Sequence, residues 1–121
     1  MTDESATEVA WDEFDRNRSM FLKLVADQAE LIATHHLTDE NFHRLISIAY
    51  EGKIVSAAQL GQIGRRDPTT ASRWINRHST PDSFAQEAIL KRIAIHANEL
   101  AEKIRSSNVG SAPSPRKAAT R

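Results

Sequence analysis

The chain has 121 residues, 40% hydrophobic and 26% charged, and its sixteen acidic and sixteen basic side chains cancel. That length supports one compact domain with frayed ends, without a second independent core. Since cysteine is absent, disulfides, thiolate metal sites and a cysteine nucleophile are excluded. No apolar run approaches the roughly 18–20 residues of a membrane span, and the acidic opening lacks the basic and then apolar start of a signal peptide. A cytoplasmic protein without membrane association is expected.

The elements follow in chain order. Residues 1–10 are polar and acidic, and a flexible N-terminus is expected there. Over residues 11–36, Trp11, Phe14, Phe21, Leu24, Val25, Leu31 and Ile32 recur at helical steps with no proline or glycine, which predicts an amphipathic helix buried along that stripe. Thr38 is the expected cap of a second helix, with Asp39 and Glu40 at the positive end of its dipole. Phe42, Leu45, Ile46 and Ala49 form its apolar side, and Gly52 supplies its stop.

A third, short helix starts at Ser56, where Ser-x-x-Gln (Ser56 to Gln59) reads as a capping box, and breaks at Gly64. Asp67 followed by Pro68 is a cap and a first helical residue, so a fourth helix is predicted over residues 68–77. Asp82 or Ser83 caps a long final helix whose apolar side is Phe84, Ala88, Ile89, Ile93, Ala97, Leu100 and Ile104. From Ser106 onward little can be buried, and residues 106–121, with Arg116, Lys117 and Arg121, read as a disordered basic tail. No stretch alternates with period two. The expected fold is therefore all-α: about five helices in one domain over residues 11–105, then the tail.

The zero net charge conceals a polarity. Residues 1–40 hold ten acids and three bases, whereas residues 41–121 hold six and thirteen. Between residues 53 and 77, Lys53, Arg65, Arg66, Arg73 and Arg77 stand against Asp67 alone. Such a concentration suits a phosphate-facing surface, because binding to duplex DNA is driven largely by counterion release. On charge alone, a solvated basic surface reads the same way.

Residues 56–78 carry the informative pattern. Gly61 is a small residue where two helices can cross, Gly64 supplies the sharp turn, and Ala71, Trp74 and Ile75 are apolar anchors on one side of the following helix. With the run Thr70-Ala71-Ser72-Arg73-Trp74 and Pro81 beyond it, this segment resembles the helix-turn-helix of the Cro/repressor-like family of bacterial and phage DNA-binding regulators. Two registers are open: Gly61 at the crossing puts Arg65 at the family's turn glycine, while Gly64 at that glycine adds one residue to the turn. The resemblance implies that the first helix crosses the DNA backbone and the second lies in the major groove.

With Ala71, Trp74 and Ile75 turned inward, Thr69, Thr70, Ser72, Arg73, Asn76 and Arg77 are left as base-contact candidates. Arginine can fork onto guanine, asparagine pairs with adenine, and threonine offers a methyl for thymine. Lys53, Ser56, Gln59, Arg65 and Arg66 are assigned to phosphates. Trp74 is read as a core anchor rather than a base-stacking ring. His35, His36 and His43 lie close in sequence, but their spacing matches no zinc motif, so no metal site is expected. No nucleophile elbow or phosphate-cradling loop is present, and neither a catalytic site nor a cofactor is expected.

Two readings result. One is a sequence-specific transcriptional regulator that binds double-stranded DNA, acting as a homodimer on a palindromic site. The other is a protein-binding module, antiactivator-like, that engages another regulator through its amphipathic helices, with the acidic N-terminal helices as the contact surface.

Overall fold

The computed structural model describes residues 10–111. Five helices follow one another: α1 Trp11–His35, α2 Asp39–Glu51, α3 Ala57–Gly64, α4 Pro68–Ile75 and α5 Ser83–Ser111. There is no strand among the described residues, so the all-α expectation holds. Residues 1–9, and the last ten residues of the expected tail, lie outside the described part. The helix ends are set locally. The Thr38 hydroxyl accepts the Asn41 N–H at 3.0 Å, and the Asp82 carboxylate accepts that of Ala85 at 2.8 Å, each filling a donor the first turn leaves orphaned.

Two boundaries differ from the sequence reading. α5 runs on to Ser111 instead of stopping at residue 105, because no proline intervenes before Pro113 and nothing in Ser106 to Ser111 forbids helical backbone. α4 stops at Ile75, with Asn76 as its cap and Arg77 in the left-handed region at φ 64°. Gly52 also has another role than the one expected of it. Its φ is −81°, and the left-handed residue that ends α2 is Lys53, at φ 65°. What position 52 requires is space, since a Cβ there would lie 2.6 Å from the Phe21 ring.

The longest helices, α1 and α5, share the most extensive contact in the fold. They run antiparallel: Asp12, Asp15 and Ser19 line a depression with Ile104 and Arg105, while Glu30 lies near Lys91 at the other end. Their buried faces are rich in alanine, with Ala26, Ala29 and Ala33 on α1 and Ala94, Ala97 and Ala101 on α5. Small side chains let two helices approach closely, and larger ones at Leu22, Val25, Ile89, Leu90 and Ile93 fill the core around them.

That arrangement corrects the predicted stripes. Trp11, Phe14, Leu24 and Leu31 of α1, and Phe84 of α5, are exposed, as is Ala88. α2 packs on both long helices through Phe42, Leu45, Ile46 and Ala49, as its spacing predicts. Its C-terminal end is held from α1, where Arg18 donates to the Gly52 carbonyl at 2.6 Å and lies over the Phe21 ring at 5.7 Å.

The short helices α3 and α4 pack chiefly on each other, and Trp74 joins them to the rest. Its ring lies against Gly64 and near Ile89: a Cβ at Gly64 would come within 2.7 Å of the indole and 3.3 Å of the Ile89 side chain. Trp74→Ala is expected to cost about 3–5 kcal/mol, a large share of the stability of a domain this size. Thermal melting followed by circular dichroism checks this, and an unchanged midpoint would contradict the packing role.

Candidate nucleic-acid interface

Only a tight turn, residues 65–67, separates α3 from α4. Gly64 is the last residue of α3, while Arg65 takes the left-handed conformation at φ 58°, ψ 43°. The Arg65 N–H reaches the Gln62 carbonyl at 3.2 Å and the Arg66 N–H the Gly61 carbonyl at 2.7 Å. These bonds close a Schellman-type end. The turn residue is therefore Arg65. Gly61 is the close-approach position, because a Cβ there would sit 2.7 Å from the Arg66 carbonyl oxygen and 3.0 Å from that of Asp67. Gly64, read from sequence as the turn, is instead the seat of the Trp74 ring.

α3 opens on the capping box expected from Ser56 and Gln59. The Gln59 N–H donates to the Ser56 hydroxyl at 3.1 Å, and the Ser56 N–H to the Gln59 side-chain oxygen at 2.9 Å. The Ser56 O–H and the Gln59 amide N–H₂ keep their own donor capacity. Lys53, Ser56 and Gln59 share a shallow depression with Tyr50, Glu51 and Val55. Lys53 is exposed, so three of the five phosphate candidates meet at one end of α3. Arg65 and Arg66, both exposed, stand at the other.

α4 opens on Asp67, whose carboxylate accepts the Thr70 N–H at 2.8 Å. That bond, then the Thr70 hydroxyl and the Thr69 N–H, hold the Asp67 carboxyl below its ordinary range. Ala71 and Trp74 are buried and Ile75 packs on the core, as the anchor assignment requires. Thr69, Arg73 and Asn76 are exposed, whereas Thr70 and Ser72 are half-buried on the flanks. The six base candidates thus do not form one open face. Thr70 is committed to Asp67, and Arg77 lies past the helix end.

Three contacts from α2 grip the C-terminal end of α4. His43, buried in the core, hydrogen-bonds the Trp74 carbonyl through Nδ1 at 2.8 Å and the Thr80 hydroxyl through Nε2 at 2.7 Å. With Nδ1 donating to the carbonyl, the neutral ring accepts the Thr80 O–H at Nε2. The Ser47 hydroxyl reaches the Ile75 carbonyl at 3.5 Å. Arg77 pairs with Glu40, Nη1 to Oε1 at 2.7 Å and Nη2 to Oε2 at 3.5 Å, and the guanidinium holds the Glu40 carboxyl below its ordinary range. None of these three contacts is signalled by sequence. Composition marks His43 only as a histidine near two others, and Glu40 only as a first-turn acid. Gln86, buried, completes the frame by donating to Asp39 at 2.7 Å and to the Pro81 carbonyl at 2.9 Å.

Arg77 is the single member of the basic cluster that forms an ion pair among the described residues; Lys53, Arg65, Arg66 and Arg73 form none there. Among those residues no three histidine or acidic side chains converge on a possible metal position: His43 is turned into the core, while His35 and His36 are exposed. No helix of the described part is long and apolar enough to cross a membrane. Comparison of the chain with protein-family models, curated proteins and solved structures gives no match.

The cap at Asp67 yields a pH signature. A folded-state pKa below the unfolded one stabilises fully above the ordinary carboxylate range and is lost as pH falls through the folded value. Asp67→Ala should therefore melt below the wild type at neutral pH, and the gap should close as the solution is acidified past the lowered pKa. A gap independent of pH would show that the charged cap contributes nothing to α4.

Proposed function

We propose that the protein is a sequence-specific DNA-binding regulator in which α3 and α4 act as a helix-turn-helix of the Cro/repressor-like kind, with α4 in the major groove. One observation carries this reading. Four exposed cations that form no ion pair among the described residues lie around a pair of short helices packed on the core: Lys53 before α3, Arg65 and Arg66 in the turn, and Arg73 on α4. Base readout requires the reading helix to be held rigidly against its scaffold, and the seat of Trp74 with the contacts from α2 supplies that hold.

In this reading the N-terminal end of α3 meets phosphate through Lys53, Ser56 and Gln59, and Arg65 and Arg66 take phosphates beside the turn. Arg73 is the principal base reader, with Thr69, Ser72 and Asn76 on either side of it. Arg77, engaged by Glu40, serves chiefly to position α4, and Thr70 to complete its cap. The protein would act in the cytoplasm, without catalysis, as a homodimer on a palindrome, since one recognition helix binds weakly. Asp67 stands where the helix enters the groove. Its bonds to the first-turn N–H groups leave those donors unavailable to phosphate, so side chains must supply the contacts.

A second reading, a protein-binding module that engages another regulator, is favoured by the exposed apolar side chains of α1. Binding to a random duplex pool, followed by selection and salt titration, separates the two: steep loss of affinity with rising salt belongs to the first. Within it, Arg73→Ala should cost about 1–3 kcal/mol at the selected site and relax the preference at one base position. Arg65→Gly should keep the fold, raise stability by up to about 1 kcal/mol because glycine takes the left-handed conformation without strain, and flatten the salt dependence by about one unit. Unaltered salt dependence in that variant would remove Arg65 from the phosphate set.

A further inference from the structure

α1 carries an apolar strip on the side away from the core. Met20, Leu24 and Leu31 are 63, 57 and 40% exposed. At 3.6 residues per turn they fall on one narrow arc, opposite the buried Leu22, Ala29 and Ala33. Trp11 and Phe14 are exposed as well, but the same helical turn sets them well round the helix from this arc, outside the strip. Three large apolar side chains aligned on one outward arc of a single helix mark a contact surface rather than the scattered apolar residues any monomer shows.

The charges bordering the strip select its occupant. Lys23 and Asp27 lie on one edge of it, are both largely exposed, and pair only loosely within the helix at 3.9 Å. Two copies of α1 placed antiparallel about a two-fold axis at Leu24 bring each edge against its own copy, Lys23 beside the partner's Asp27 and Asp27 beside the partner's Lys23. The same axis sets Met20 across from Gln28, and Leu31 across from Asn17. It also sets the acidic first turn, Asp12 and Glu13, beside His35 and His36 at the other copy's last turn, with the helix dipoles opposed. A parallel pair would instead crowd the two acidic first turns together.

We propose that this face of α1 is a homodimer interface, two chains packing antiparallel about Leu24. The proposal deepens the DNA-binding reading, which needs two recognition helices per molecule, but its test does not use DNA. Sedimentation of the full chain at micromolar concentration should give twice the 13.5 kDa chain mass. Leu24→Glu should halve the observed mass while keeping the helical circular dichroism, because position 24 faces solvent within each chain. The chain contains no cysteine, so single introduced thiols report orientation cleanly. Leu24→Cys should crosslink to a dimer on mild oxidation and Leu31→Cys should not.

A monomeric wild type overturns the proposal and leaves the strip to a partner of different sequence. Persistence of the dimer in folded Leu24→Glu places the interface elsewhere, and crosslinking at position 31 as readily as at 24 makes it parallel; either result also overturns the proposal. A monomer that still binds duplex DNA would spare the functional reading, whereas a dimer indifferent to DNA would refute that reading and spare the interface.

Discussion

The seating of Trp74 governs how the two short helices and the cations around them can be used. Its indole lies against the bare backbone of Gly64 and close to Ile89, and its carbonyl is held by His43, so one residue is fastened to α3, α5 and α2 together. α4 is only eight residues long, too short to be stable by itself in water. Its orientation is thus a tertiary property, set by the anchored side and by the contacts at its C-terminal end. What remains for solvent is its outer face and its N-terminal turn, where Thr69 and Arg73 are exposed.

The same logic explains the unusual occupant of the turn. A left-handed residue between two packed helices would ordinarily be glycine, because a side chain is strained there. Here Lys53, Arg65 and Arg77 hold the left-handed positions after α2, α3 and α4, each beside helix carbonyls whose partial negative charge favours a cation. Arg77 finds Glu40, while Lys53 and Arg65, at opposite ends of α3, form no ion pair among the described residues. A strained backbone retained with a free cation is understandable if the cation is used, and this is why the turn supports the DNA reading more strongly than net charge does.

Much of this was legible in the sequence because it is local. Thr38, the Ser56–Gln59 box and Asp67 before Pro68 cap helices through bonds within three residues, and all were identifiable by spacing. Ala71 and Trp74 were readable as anchors for the same reason. The core face of α1 was not. Its buried side is made largely of alanines, which carry little hydrophobic weight, while its largest apolar side chains lie outside; judging by size therefore selects the wrong stripe. His43, Ser47 and Glu40 act on α4 across a long sequence separation, and no periodicity encodes that. The base set suffered likewise, since Thr70 and Arg77 are diverted by partners that only the folded chain supplies.

In the proposed DNA-binding reading, duplex DNA is met by α3, its turn and the outer side of α4, with α1 and α5 behind them. Titrating the isotopically labelled chain with short duplexes and following its backbone amide resonances tests this directly. Shifts should concentrate at Lys53, Ser56, Gln59, Arg65, Arg66, Thr69 and Arg73 and fade as salt is raised, with Ala94 and Ala97 in the core of α5 undisturbed. Shifts confined to the outer face of α1, or no shifts at low salt, would contradict it.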